Sequence, residues 1–171
     1  MACLCSTKNW RCGYLRHLRL LRGFERRKMA KAIVIYETAY GYTETMAKAI
    51  VAGLKEEGVA VELKKVLSTE VEDLKDMDAV VLGCPTYHHD MIGTMKTFLF
   101  KMKKADLKEK VGAAFGAYGW SGESIEMMSD TMKHIFGMEM IEPGLKMKGT
   151  EVLTGEKECK EFGKKIAGGI Q

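Results

Sequence analysis

Three short stretches gather hydroxyls, rings and glycines in patterns that suit a phosphorylated, planar ligand. In Thr38-Ala39-Tyr40-Gly41-Tyr42-Thr43 two hydroxyls bracket a glycine turn. At the start of a helix such a turn offers unpaired backbone amides and hydroxyls to a phosphate, and glycine permits close approach. The simpler reading of that stretch alone is a turn with Thr43 as helix cap. The pattern G-x-x-x-x-G-K-[ST] is absent, so a terminal monophosphate suits the loop better than a nucleoside triphosphate. The second stretch, Cys84-Pro85-Thr86-Tyr87-His88-His89-Asp90, sets a ring and two imidazoles behind a proline. The third, Ala117-Tyr118-Gly119-Trp120-Ser121-Gly122, lodges a tryptophan among glycines, where the backbone can approach a ring edge and the indole offers a face for stacking. Only His17 and His134 accompany His88 and His89, too few for a histidine-rich metal site, and no metal ligand is assigned.

The elements that carry these stretches follow from hydrophobic periodicity. Ala32 to Tyr36 and Ala79 to Gly83 are continuous apolar runs, the mark of parallel strands buried on both faces. Val59 to Val66, Val111 to Ala117 and Met138 to Ile141 complete five strands. Between them, apolar residues at helical spacing predict helices over about 43–57, 69–75, 94–103, 123–136 and 154–170. This alternation describes a doubly wound α/β domain with a five-stranded parallel sheet in the order 2-1-3-4-5 and helices on both faces. In such sheets a ligand sits beyond the carboxyl ends of the strands where the winding reverses. The three stretches follow strands one, three and four, so they belong to one site.

Charge divides the chain. Of its 27 Lys and Arg, eight fall in residues 1–28 against the single acid Glu25, leaving 19 basic against 22 acidic residues from Met29 onward. The main domain, residues 29–171, is therefore mildly acidic, which argues against nucleic acid as a partner. In residues 1–28, Leu15, Leu18 and Leu21 stand beside Arg16, Arg19 and Arg22, a basic amphipathic pattern. It reads as an upstream start included ahead of Met29, with a targeting segment or a surface-bound helix as alternatives. Cys3, Cys5 and Cys12 match no zinc or iron–sulfur spacing, and Cys84 and Cys159 imply no disulfide framework. No stretch approaches the roughly 20 apolar residues of a membrane-spanning helix, so a cytoplasmic protein without membrane partners is expected.

The run Y-E-T-A-Y-G-Y-T-E-T-M-A from Tyr36, G-C-P-T-Y from Gly83 and F-G-A-Y-G-W-S-G-E from Phe115 resemble the flavodoxin family, most closely the flavodoxin domain of flavo-diiron (type A) flavoproteins. The resemblance covers about 32–170 and implies a flavodoxin-like fold, non-covalently bound FMN and electron transfer to and from redox partner proteins, among them a separate diiron or iron–sulfur protein. It implies that Thr38, Ala39, Tyr40, Gly41, Tyr42 and Thr43 surround the phosphate. Tyr87 and Trp120 would flank the isoalloxazine, and Pro85, Thr86, His88, His89, Asp90, Ala117, Tyr118 and Gly119 would meet its edge. His88-His89-Asp90 departs from the Asn-Asn-Gly usual in those relatives. Four histidines cannot build their diiron site, so the expectation is a carrier without catalytic residues of its own. An FMN-dependent NAD(P)H:quinone or flavin reductase is the alternative. A receiver domain of similar topology would need an acidic phosphoacceptor where Gly83-Cys84-Pro85 stands.

Overall fold

The structure, a computed structural model, describes residues 29–170; the basic extension lies outside the described residues. Strands β1 (Lys31–Tyr36) and β2 (Ala60–Lys65) are separated by helix α1 (Tyr42–Glu56). Next come β3 (Ala79–Gly83), the short β4 (Thr86–Tyr87) and β5 (Asp90–Met91), and α2 (Gly93–Met102). The chain continues through β6 (Val111–Tyr118), α3 (Glu123–His134), β7 (Glu139–Met140), β8 (Leu145–Lys148) and α4 (Glu156–Gly169). The main sheet runs β2-β1-β3-β6-β7, with β8 also on β6, and all its pairings are parallel.

The apolar runs form the central strands because both faces are covered. Ala32, Val34 and Tyr36 join Ala79, Val81, Ala113 and Phe115 in one core, against Ile50 and Leu54 of α1 and Phe162 and Ile166 of α4. Ile33, Ile35, Val80 and Leu82 point the other way, onto Met95, Phe98 and Leu99 of α2 and Ile125, Met128 and Met132 of α3. The strand period of two thus sorts consecutive residues between two cores on opposite sides of one sheet.

Four details differ from the sequence expectation. The fifth strand is split: β7 pairs with Val111 and Gly112, whereas β8, unforeseen because Leu145-Lys146-Met147-Lys148 alternates like a half-exposed strand beside a Pro-Gly pair, pairs with Phe115 to Tyr118. The stretch 69–75 holds a single 3₁₀ turn, Val71–Leu74, so the described residues contain four α-helices rather than five. Gly41, at φ 84°, occupies the N-cap of α1, so Thr43 is not the cap and lies inside the first turn. The stretch after β3, to which the sequence reading assigned no strand, is a tight antiparallel hairpin of β4 and β5.

Register brings the ends of β1 and β3 level, with Tyr36 paired to Gly83 and Gly83 to Phe115, while β6 continues to Tyr118, so the segments after β1 and β3 open beside the last residues of β6. Close approach at this end depends on Gly116, where a Cβ would lie 2.0 Å from the Cys84 carbonyl oxygen, which is rigid backbone. Gly116→Ala is therefore expected to destabilise the fold by about 1–3 kcal/mol, as overpacking does. Urea unfolding checks this, and an unchanged midpoint would show that the two strands can part freely.

Candidate functional site

Beyond the ends of β1 and β3, beside the last residues of β6, lies a cleft of about 300 Å³. The segment after β1 supplies Thr38, Ala39, Tyr40, Tyr42 and Thr43 to its wall, the segment after β3 supplies Pro85, Thr86, Tyr87 and His88, and the end of β6 with the residues that follow it supplies Ala117, Tyr118, Gly119 and Trp120. Thirteen of the sixteen residues singled out in the sequence thus line one cavity. Gly41, His89 and Asp90 do not, and Gly149 does although nothing in the sequence marked it. Gly149 arrives because β8 pairs with β6 and its N–H donates to the Tyr118 carbonyl at 2.9 Å. Recognising β8 as a strand would have been the signal.

At one end of the cleft the first turn of α1 presents amides that have no intrahelical acceptor. The Gly41 N–H donates to the Thr38 hydroxyl at 2.9 Å, and the Thr45 hydroxyl donates to the Gly41 carbonyl at 3.1 Å, which closes the turn. Thr43 is different. It is 0 % exposed, and its Oγ1 has no hydrogen-bond partner. A buried hydroxyl without a partner costs on the order of 1–3 kcal/mol, so one on a cleft wall at a helix start calls for a ligand oxygen. An anionic group fits there, drawn by the helix amides as well.

The rest of the cleft is aromatic. Tyr40 and Tyr87 approach with ring centroids 6.3 Å apart and planes tilted by 45°. Trp120 is 91 % exposed, so it is not a core residue. Cys84, beneath the cleft, is inert as a nucleophile: burial pushes its thiol up to about 12. Among the described residues, no group of three or more His, Cys, Asp or Glu side chains is placed to hold a metal ion, and no helix is long and apolar enough to cross a membrane.

The hairpin of β4 and β5 turns through His88 and His89, at φ 47° and 61°. Positive φ at both central residues is the conformation that two-residue hairpins favour and that Asn-Gly adopts most readily. His88 faces the cleft, whereas His89 faces away, with Nδ1 at 2.8 Å from Glu123 Oε1 and 3.1 Å from Ser121 Oγ. Asp90 binds Lys96 instead of the cleft, and that contact holds its carboxyl below the ordinary range. Glu37, not singled out in the sequence, joins two segments: Oε1 accepts from the Thr38 N–H at 3.1 Å and Oε2 from the Thr94 hydroxyl at 2.8 Å.

A doubly wound sheet with an anion-ready helix start and aromatic walls at its switch point defines a mononucleotide-binding domain. The flavodoxin family model matches residues 34–163. A nitric oxide reductase of Moorella thermoacetica is 32% identical over 145 residues, covering 82% of this chain and 36% of that protein. A type A flavoprotein of Rhodobacter capsulatus is 32% identical over 140 residues, 79% of this chain and 32% of that one. The solved structure of a flavodoxin from the domain Archaea aligns with a TM-score of 0.78 and 32% identity, over 82% of this chain and 98% of that one. The chain belongs to the flavodoxin family, and it is an FMN-binding, electron-transferring domain. It spans about a third of the length of the curated relatives it matches.

Glu123 offers a test of the site's electrostatics. The His89 hydrogen bond, then the Ser121 hydroxyl and the backbone at the start of α3, hold its carboxyl down at about 2, against an ordinary 4.5. A depressed folded value means a stabilising contribution that is complete above the unfolded value and disappears as pH falls through the folded one. The stability difference between the wild type and Glu123→Gln should therefore shrink as pH falls from about 4.5 to about 2. Urea titrations across that range check it, and a difference independent of pH would remove the carboxylate from the account.

Proposed function

We propose that this chain carries electrons as a flavodoxin, with FMN phosphate at the first turn of α1 and the isoalloxazine between Tyr87 and Trp120. The observation that carries this reading is the Thr43 hydroxyl, buried in the cleft wall with no partner of its own. Thr38, Thr43 and the first-turn amides would bind the phosphate, and backbone groups of Thr86 to His88 and of Ala117 to Gly119 would meet the ring edge. FMN supplies reversible one- and two-electron chemistry when bound. The protein's part is to hold the ring, exclude water from its faces and leave an edge open for a partner.

A carrier suits this cleft better than an enzyme. Among the described residues, its ionisable lining side chains are those of Tyr40, Tyr42, Tyr87, Tyr118 and His88, with no carboxylate or lysine placed to move a substrate proton. The partners would be redox proteins, with a diiron or iron–sulfur protein fitting the likeness to the flavodoxin portion of longer flavoproteins. NADPH alone should leave the bound flavin oxidised over minutes; rapid bleaching would favour the reductase alternative.

Two substitutions separate a binding role from a structural one. Thr43→Val removes an unpartnered buried hydroxyl, so the FMN-free protein should hold or gain stability, by up to about 1 kcal/mol, while FMN binding weakens. Trp120→Ala, at an exposed site, should change FMN-free stability by no more than about 0.5 kcal/mol. It should weaken FMN by about 1–3 kcal/mol through loss of a stacked face. Flavin fluorescence titration with parallel urea melts reads both. Unchanged FMN affinity in both variants would reject this placement of the cofactor.

A further inference from the structure

The cleft is lined from separate segments, among them the β4–β5 hairpin with Tyr87 and His88 and the stretch after β6 with Gly119 and Trp120. At its base the hairpin is tied down by buried Ser124, whose hydroxyl lies 2.7 Å from that of Thr86 and donates to the Cys84 carbonyl at 3.3 Å. Its tip is held differently. Two successive non-glycine residues in the left-handed region cost of order 1 kcal/mol or more each unless the surroundings fix them. Histidine enters that region more readily than most residues, yet lacks the freedom of glycine. The contacts of His89 are what fix this turn. With its proton on Nδ1 the ring donates to Glu123 Oε1 at 2.8 Å, and Ser121 Oγ stands 3.1 Å from the same nitrogen.

Ser121 directly follows Trp120, and Glu123 opens α3. We propose that His89, Ser121 and Glu123 form a latch joining the tip of the hairpin to the Trp120 segment, which sets the spacing of the two segments and slows cofactor release. His88 and His89 then divide their work, one facing the cleft and the other facing away to lock it. His89 is a positioning residue because it does not line the cleft. His89 and Glu123 are both partly exposed, so the latch is a modest tie and its effect is expected in the rate of release more than in the fold.

The inference rests on the cleft holding FMN, and its test is built to fail separately from that reading. FMN release after dilution is followed by recovery of flavin fluorescence for the wild type, His89→Gly, Glu123→Ala, the double variant, His89→Asn and Trp120→Ala. Amide exchange over residues 86–91 is measured on the FMN-free proteins. Glycine relaxes the turn while removing the tie, so turn strain alone predicts that His89→Gly holds FMN as well as the wild type or better. The latch predicts the reverse: release about two- to fivefold faster in each single variant, the effect of losing one exposed hydrogen bond to a carboxylate. The double variant should be no faster than the faster single one, since both remove the same link. Exchange over 86–91 should rise in step without FMN. His89→Asn, which tolerates positive φ and keeps an N–H donor, should recover most of the retention. Wild-type release from His89→Gly while Trp120→Ala releases faster would overturn the latch, as would effects that multiply in the double variant. Wild-type release from every variant, Trp120→Ala included, would overturn the cofactor's placement and the latch's role in retention with it.

Discussion

The backbone pairing of β1 with β3 and of β3 with β6 is the constraint on which the rest of the molecule depends. Because Tyr36, Gly83 and Phe115 stand in register, β1 and β3 stop at one level while β6 runs on to Tyr118, and the segments after β1 and β3 emerge abreast beside its last residues. The strands are buried on both faces, and their own N–H and C=O groups are committed to neighbours, so recognition of a polar ligand falls to the segments beyond them. Even the rigid parts of the cleft are extensions of this pairing. The Cys84 N–H still donates to the Phe115 carbonyl at 3.1 Å, and the Glu37 N–H to that of Gly83 at 2.8 Å, one residue past the strand ends.

Where the sequence carried periodicity it could be read directly. Continuous apolar runs identified β1 and β3, the small, glycine-rich stretch 111–117 was read as β6, and helical spacing identified α1 to α4, because burial on one or two faces leaves its signature in every second or every third to fourth residue. The site was legible for the same reason, since a topological rule assigns chemistry to the segments after particular strands and these contain the hydroxyls and rings. What escaped was set by geometry without a periodic signal. The β4–β5 hairpin has two residues per strand and turns through His-His in place of the expected Asn-Gly. β8 is half exposed and follows a break at Pro143-Gly144, and it alone brings Gly149 to the cleft.

Thr43 shows how local propensity yields to position. A threonine two residues after a glycine, ahead of an amphipathic run, is a reasonable cap by composition. The turn closed by Thr38 and Thr45 instead makes Gly41 the cap and moves Thr43 into the helix, where its hydroxyl is desolvated. The fold thus carries an unmet polar group at the point where binding can satisfy it, a small loss of stability placed where it favours a ligand.

The position of Trp120 has a spectroscopic consequence. The described residues contain no other tryptophan, since Trp10 belongs to the extension, and the two cores are built from aliphatic side chains, methionine, phenylalanine, Cys84, Cys159 and a single tyrosine. An indole already facing solvent in the native FMN-free domain has little further to travel when the chain unfolds. Its emission maximum is then a poor thermometer of the core. With FMN stacked on Trp120 as proposed, intrinsic fluorescence in this domain would report occupancy of the cleft, while loss of the fold would be followed by far-ultraviolet circular dichroism.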